Sequence, residues 1–381
     1  MSDLKARPAG KIKIPGPFGR MSELIDALDP SREEKSCPQL PNLHALTDLF
    51  LPAHSPWEHQ QMVRRLYQLS NLTHLNYYPV LIPKRSGGFR RLDVPMERIK
   101  FYQDKILEEI LSRMPVHPCA KAYVKGSTLR DAALPHVGKP LVVKLDIHDF
   151  YGSVTFGMVY RRVFGEDRYP KKVGMILANL CCCRGVLPQG APTSPAISNL
   201  VMVPLDEAIF AWCQPRGIAY TRYSDDLTFS GDFDPGELIR EVRGILSRDG
   251  FRLNREKTQI IRQGQRQIVT GVVVNEKAQL PASYRRSIRQ EVHYCRKFGV
   301  REHILRSDQT DYIRPNDYSR DGKRVLQRRY LLHLLGQISY ALQIDPDNTE
   351  MLEYRNSVKA MLASLPAKHR RFAAADEEMP F

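Results

Sequence analysis

Apolar residues recur along this chain at two spacings, and each switch between them marks an element. Leu43, Leu46 and Phe50, then Val63, Leu66 and Leu69, fall at helical spacing, and Pro52 and Pro56 split residues 42–72 into two helices. The stretch "YYPVLIPKRSGGFRRLDVP" (77–95) reads as two strands joined by a Gly-Gly turn. Ile99, Tyr102, Ile106 and Ile110 line one side of an amphipathic helix over 96–113. "LVVKLDIHDFY" (141–151) is a buried strand running into a loop, followed by helices near 157–165 and 168–182. A turn rich in Gly and Pro leads at Ser194 into a further helix with Pro195 in its first turn. "YTRYSDDLTFSG" (220–231) alternates enough to predict a β-hairpin with Ser224, Asp225 and Asp226 at its tight end. A helix over 235–249 and a strand-rich region over 258–280 follow, and from Tyr284 onward the pattern is helical and basic. This order predicts an α+β core followed by a helical C-terminal domain.

Composition narrows the class. With 381 residues the chain is too long for one ordinary core and suits two or three packed subdomains. At 42% apolar and 26% charged residues it reads as globular, without internal repeats or low-complexity segments. No uninterrupted apolar run approaches the ~20 residues of a membrane span, so no membrane partner is expected. The N-terminal "MSDLKARPAGKIKIPGPFGR" lacks an apolar signal core, which predicts a cytoplasmic protein with a basic arm over residues 1–40. A net charge of +15 and a pI near 9.5 favour a polyanionic partner. Seven cysteines include the run Cys181, Cys182, Cys183, and no C-x₂-C spacing suggests zinc. Reduced, buried thiols are the expectation.

The paired aspartates carry the chemistry. Two adjacent carboxylates repel, and a turn needs only one of them. The pair is either a solvated turn or the holder of a cation that reverses the repulsion. The strand over 141–147 delivers a third carboxylate, Asp146, at the end of an apolar run. A carboxylate at a strand end beside a carboxylate pair on a neighbouring hairpin outlines a site for two hard cations. Two such ions ~4 Å apart activate an attacking hydroxyl and stabilise the leaving oxygen in phosphoryl transfer. Neither a phosphate-binding G-x-x-x-x-G-K-[ST] loop nor a Ser-His-Asp order is present.

At these residues the sequence resembles a known family. "YSDD" resembles the Y-x-D-D motif of reverse transcriptases, and "KLDIHDFYGSV" their preceding aspartate motif. "LPQGAPTSPAISNL" resembles their next motif, and "GFRLNREKTQI" the lysine-bearing one. The resemblance covers roughly residues 40–300. It implies a right-hand polymerase fold of the α+β class, with fingers, a palm built on an antiparallel sheet with packed helices, and a helical thumb. The implied domains are an arm over 1–40, fingers over 41–140 including the first part of the palm, palm over 141–280, and thumb or RNA-recognition region over 281–381. It implies Asp146, Asp225 and Asp226 as catalytic metal ligands, joined by the Ile147 carbonyl, for two Mg²⁺ ions that Mn²⁺ can replace. It further implies nucleotide-binding roles for Lys84, Arg90, Tyr151, Gln189, Gly190 and Lys257, with Tyr151 as a steric gate against a ribose 2′-OH. Each of these has a plainer reading, as a solvated basic turn, a core tyrosine, a loop glycine or a surface lysine.

The later part of the chain resembles retron reverse transcriptases in particular. "RQIVTGVVVN" (266–275) is similar to their V-T-G segment, "GQISYALQIDPDN" (336–348) to their C-terminal helix ending, and "HVGKPLVVKLDI" to the region before the catalytic strand. Two departures stand out. The usual N-A-x-x-H pattern is here "DAALPH", with His136 present and Ala132 or Asp131 where the Asn belongs, and Ser224 replaces the usual Ala. Arg285, Arg289 and Arg296 lie within about 40° of one another on a helix, beside an apolar stripe of Ile288, Val292 and Cys295. These arginines, with Val269, Thr270 and Gly271, are the expected RNA contacts, unless they form a merely solvated face. The resemblance implies an RNA-directed DNA polymerase that binds a cognate structured non-coding RNA and uses deoxynucleoside triphosphates. It would copy part of that RNA into single-stranded DNA, primed from an internal guanosine 2′-OH. It also implies anti-phage defence with an effector or toxin protein. The alternatives are another bacterial defence enzyme, a group II intron-like enzyme, or an RNA-binding scaffold that restrains a toxic effector.

Overall fold

The computed structural model describes residues 36–52, 55–84, 87–307, 309–315 and 323–365. The expected basic arm lies almost wholly outside the described residues. The first helices are α1 (Leu43–Phe50) and α2 (Pro56–Asn71). Ser55 caps α2 in a reciprocal capping box with Glu58, with Pro56 at the first helical position. Strands β1 (Tyr77–Pro83) and β2 (Phe89–Pro95) form the expected hairpin, followed by α3 (Glu97–Glu109). Next come α4 (Leu129–Ala133), strand β3 (Leu141–Asp146), α5 (Phe150–Ser153), α6 (Phe156–Val163) and α7 (Lys171–Cys181). Helix α8 (Ser194–Cys213) leads into β4 (Ala219–Tyr223) and β5 (Asp226–Gly231), then α9 (Pro235–Arg248). Strand β6 (Gln259–Arg262) precedes the short pair β7 (Ile268–Val269) and β8 (Val272–Val273). The C-terminal part holds α10 (Ala282–Phe298), α11 (Val300–Arg306), α12 (Gln327–Ile344) and α13 (Thr349–Ser364). It is not helical throughout: Ile313–Pro315 and Lys323–Val325 pair antiparallel, and a proline ends the first strand.

The described residues fall into two compact units. One holds those up to Val116 with Tyr123–Ser127 and Tyr151–Val201, and the other holds His117–Ala122, Thr128–Phe150 and those from Met202 on. In the first unit α7 packs against α2, α3 and α6. Buried Gln103 on α3 donates to the Tyr77 hydroxyl (2.6 Å) and to the Leu180 carbonyl (2.8 Å), which ties the foot of the hairpin to α7. The second unit is built on an antiparallel sheet in the order β4-β5-β3-β6. Val142 of β3 shares one apolar core with Val269 and Val272 of β7–β8 and with Ile288, Val292, Leu334 and Ile338 of the C-terminal helices.

Six of the seven cysteines are buried free thiols, and Cys37 is partly buried. Burial pushes the Cys181 thiol up to about 12, so it stays protonated and inert. Taken with its following turn, α8 (Ser194–Arg216) is long and apolar enough to cross a membrane by length and composition. More than half of that apolar window is buried inside the protein, as befits a core helix.

His136 is fully buried and clips the two strands of the aspartate hairpin together, with Nδ1 2.7 Å from Ser230 Oγ and Nε2 2.7 Å from Thr221 Oγ1. The Thr221 hydroxyl donates to the Ala132 carbonyl (3.2 Å), so it accepts from Nε2–H. Burial, with the Lys139 charge adding, holds the imidazole down to about 4 from its ordinary 6.5. Above 6.5 neither state is protonated and the contribution is complete; as pH falls toward 4 the unfolded chain takes up a proton that the folded one refuses. The difference is about 3 kcal/mol of stability, lost across that window. Urea midpoints at pH 7.5 and 4.5 should therefore fall more steeply for the wild type than for His136→Gln, whose side chain does not titrate. Parallel slopes would show that His136 titrates normally in the fold.

Candidate active site

Register brings the carboxylates together. Strand β3 pairs with β5 so that Asp146 lies directly opposite Asp226, and β5 pairs with β4 so that Tyr223 lies opposite Asp226. Ser224 and Asp225 are then the two residues of the hairpin turn, with Ser224 at φ +61° in the left-handed region. The Ile147 N–H donates to the Asp225 carbonyl (3.0 Å), and the Asn254 N–H donates to the Asp146 carbonyl (2.7 Å). The end of β3 is thus held on both sides by main-chain hydrogen bonds.

The carboxylates of this cluster repel one another. Burial first, then the charge of Asp225, push the Asp226 carboxyl above its ordinary range; Asp146 adds to this, while Lys144 and Lys257 oppose it. Lys257 Nζ sits 2.6 Å from Asp146 Oδ1 although its side chain is 60% exposed. That hydrogen bond, followed by the charges of Asp146, Asp225 and Asp226, holds the ammonium above its ordinary range. Among the described residues no three His, Cys, Asp or Glu side chains already stand as a closed metal cluster. The ammonium of Lys257 takes the counter-charge position at Asp146 instead. Hard oxygen donors, mutual repulsion and a raised Asp226 are what a divalent cation would relieve, so the donor set fits one.

The other sequence-derived candidates lie on separate elements of the two units. Lys84 and Arg90 are exposed on the β1–β2 hairpin. Arg90 lies opposite Ile82, and Lys84 is two residues beyond Ile82, so both cations belong to one face. In the same unit the Gln189 carbonyl accepts from the Asp93 N–H of β2 (2.7 Å). Gly190 follows at φ +128°, where a Cβ would stand 2.7 Å from the Asp93 carbonyl oxygen. Gly190 therefore lies closely against the hairpin's backbone. Tyr151 is half-buried on α5.

Gly190→Ala should cost about 1–3 kcal/mol, because both its backbone angle and the Asp93 carbonyl oppose a side chain. Gly244→Ala, in the middle of α9 with open space around it, should instead stabilise by about 1 kcal/mol. Urea unfolding of the two variants reads both signs, and a neutral Gly190→Ala would show that the Gln189–Gly190 turn is free to shift.

In the second unit the V-T-G segment is a two-residue hairpin turn. Thr270 (φ +47°) and Gly271 (φ +87°) both take left-handed angles between β7 and β8, as this turn class requires. Val269 is packed in the core and the Thr270 hydroxyl is buried, which leaves Gly271 as the exposed residue of the segment. On α10 the predicted apolar stripe of Ile288, Val292 and Cys295 is buried. Arg289 Nε lies 2.7 Å from Glu350 Oε1, and Arg296 bonds Glu353 Oε1 (3.0 Å) and Ser357 Oγ (2.9 Å), all on α13. These two arginines thus also strap α10 to α13. Together with Arg286, Gln290, His293, Tyr294 and Tyr354 they line a cleft of about 570 Å³.

Sequence reasoning missed the groups that support the turn. Arg222 is buried in the hairpin arm against Asp206 of α8, with both side chains 0% exposed. The available signal was a lone aspartate in the apolar run "LVMVPLDEAIF" and a lone arginine in the arm "YTRY".

Comparison with known proteins accounts for the arrangement. Residues 82–294 match the family model described as reverse transcriptase (RNA-dependent DNA polymerase). The Retron Mx65 reverse transcriptase of Myxococcus xanthus is 35% identical over 301 residues, which cover 74% of this chain and 64% of that protein. The Retron Ec86 reverse transcriptase of Escherichia coli is 30% identical, over 60% of this chain and 73% of that protein. The Retron Ec83 reverse transcriptase of Escherichia coli is 30% identical, over 74% and 86%. The chain spans less than two thirds of the Mx65 protein's length. A solved structure of telomerase from Candida albicans, in complex with a TWJ fragment of telomeric RNA, aligns at 14% identity with a TM-score of 0.40, over 79% of this chain and 68% of that one. The family-model match over residues 82–294 identifies the fold as the α+β, right-hand polymerase fold. The chain belongs to the reverse transcriptase family and, within it, to the retron reverse transcriptases.

Proposed function

We propose that this protein is an RNA-directed DNA polymerase that binds a folded non-coding RNA and copies part of it into single-stranded DNA. The observation that carries the reading is the alignment of Asp146, Asp225 and Asp226 at paired strand ends, with Lys257 as their counter-charge, in a chain of this family. Two Mg²⁺ ions, or Mn²⁺ in their place, would supply activation of the attacking hydroxyl and charge stabilisation at the leaving oxygen. Asp146, Asp225 and Asp226 would hold them, with the Ile147 carbonyl as a further oxygen donor. Lys84 and Arg90 take the triphosphate charge of the incoming deoxynucleotide. Tyr151 would bar a 2′-OH by ring volume, and Gln189 and Gly190 would line the incoming nucleotide.

On this reading residues 41–140 serve as fingers, 141–280 as palm and the C-terminal helices as thumb. Thr270, Gly271 and the arginine face of α10 (Arg285, Arg289, Arg296) meet the RNA mainly through shape and backbone. The same reading includes self-priming from a 2′-OH of the bound RNA, a cytoplasmic setting, and an effector or toxin protein partnered in anti-phage defence. Support for it comes from the retron relatives and the net charge of +15.

Extension of a DNA primer annealed to an RNA template, with deoxynucleotides and Mg²⁺, tests the activity directly; no extension would overturn it. The sugar gate has its own test. Tyr151→Ala should narrow the preference for deoxy- over ribonucleotides by about tenfold or more, since shape complementarity is what the ring provides. An unchanged ratio would make Tyr151 a packing residue.

A further inference from the structure

The geometry points to Arg222 and Asp206 as a buried strut that sets the conformation of the aspartate-bearing turn. It rests on the polymerase reading of the aspartates and adds to it two positioning residues that touch neither metal nor substrate.

Strand alternation puts Tyr220 and Arg222 on one face of β4, toward α8. Arg222 Nε lies 2.9 Å and 3.1 Å from the two Asp206 carboxylate oxygens, and Nη2 lies 2.6 Å from Oδ2. The Tyr220 hydroxyl donates to Asp206 Oδ1 (2.8 Å). The remaining arm of the guanidinium, Nη1, donates to the Ser224 carbonyl (3.1 Å). Arg222's own backbone is fixed as well, its N–H bonded to the Cys119 carbonyl (2.8 Å) and its carbonyl to the Lys121 N–H (2.8 Å).

Stability does not explain this pair. A buried ion pair is often no better than apolar residues of the same volume, because both charges lose their hydration. What an apolar pair cannot do is donate to a turn carbonyl. That carbonyl belongs to Ser224, a non-glycine residue at φ +61°, where a turn of this kind favours glycine. A left-handed serine persists when its surroundings over-determine it, and the Arg222 bond is such a constraint. The turn so fixed carries Asp225, whose carbonyl accepts from Ile147 beside Asp146. The chain of contacts runs from Asp206 through Arg222 and Ser224 to the turn and then to the end of β3.

Two variants separate positioning from mere folding. In the triple variant Asp206→Leu, Tyr220→Phe, Arg222→Leu, no buried charge is orphaned. Arg222→Lys keeps a cation for Asp206 but has no second arm for the Ser224 carbonyl. Hydrogen exchange over residues 141–147 and 219–231 is measured without metal or substrate, beside thermal midpoints and single-nucleotide kinetics. In both variants the Ile147 amide, which donates to the Asp225 carbonyl of the turn, should exchange about tenfold faster while the rest of the sheet keeps its protection. kcat should fall about 10²-fold with the deoxynucleotide KM within about twofold, the signature of misplacement rather than lost binding. Wild-type exchange at Ile147 in either variant would overturn the strut. So would a kcat loss accompanied by loss of protection across the whole sheet. Should the triple variant fail to fold, Arg222→Lys decides alone. A wild-type protein that extends no primer would bring down the polymerase reading instead, and the exchange comparison would still stand.

Discussion

Asp225→Asn should fold as the wild type does and make about 10³-fold less DNA. The exchange removes one anionic oxygen donor from the turn while keeping its size and its place at the hairpin tip. Metal-borne stabilisation of developing charge is worth several kcal/mol, and about 4 kcal/mol corresponds to that factor in rate. Stability should hold or rise slightly, because the Asp225 charge is one of the forces that push Asp226 above its ordinary range. Removing it relieves repulsion that the fold otherwise tolerates for function. Primer extension and urea unfolding on one preparation read both effects. Near-normal extension would remove Asp225 from the chemistry.

Asp206→Ala should behave in the opposite way, failing in the fold before it fails in the chemistry. It leaves the Arg222 guanidinium buried without its carboxylate, and takes from the Tyr220 hydroxyl the oxygen to which it donates. Breaking a buried pair from one side costs about 3–5 kcal/mol. A typical domain has only about 5–15 kcal/mol in hand, so much of the protein should unfold or aggregate at 37 °C. Soluble yield and thermal midpoint check this. A midpoint within a few degrees of wild type would mean that water reaches Arg222 when Asp206 is gone.

The contrast between these two aspartates shows what the sequence made legible. Asp225 was readable because its neighbours in the chain are its neighbours in space: a two-residue turn between alternating arms places it, and the hairpin formed over Ala219–Gly231. Asp146 was readable for a similar reason, at the end of an uninterrupted apolar strand. Asp206 was not, because its partner lies sixteen positions away on another element and nothing in helical or strand periodicity links the two. The same holds for His136, whose partners Thr221 and Ser230 are 85 and 94 positions away. Periodicity also marked α10 correctly while leaving open what its arginines face. Arg289 and Arg296 meet α13, a contact that only the tertiary packing reveals. The strand-rich stretch after α9 resolves into β6 and the β7–β8 turn, where the V-T-G residues supply left-handed angles that a residue pattern alone does not specify.

The nucleic acid bound to the protein in its native host tests the central claim most directly. The protein, purified from that host alongside the Asp225→Asn variant, is stripped of nucleic acid, which is then run on a denaturing gel before and after ribonuclease. The account predicts a short DNA from the wild type whose mobility changes after ribonuclease, because RNA is joined to it, and RNA alone from the variant. DNA of the same length from both proteins, or no DNA from the wild type, would contradict it.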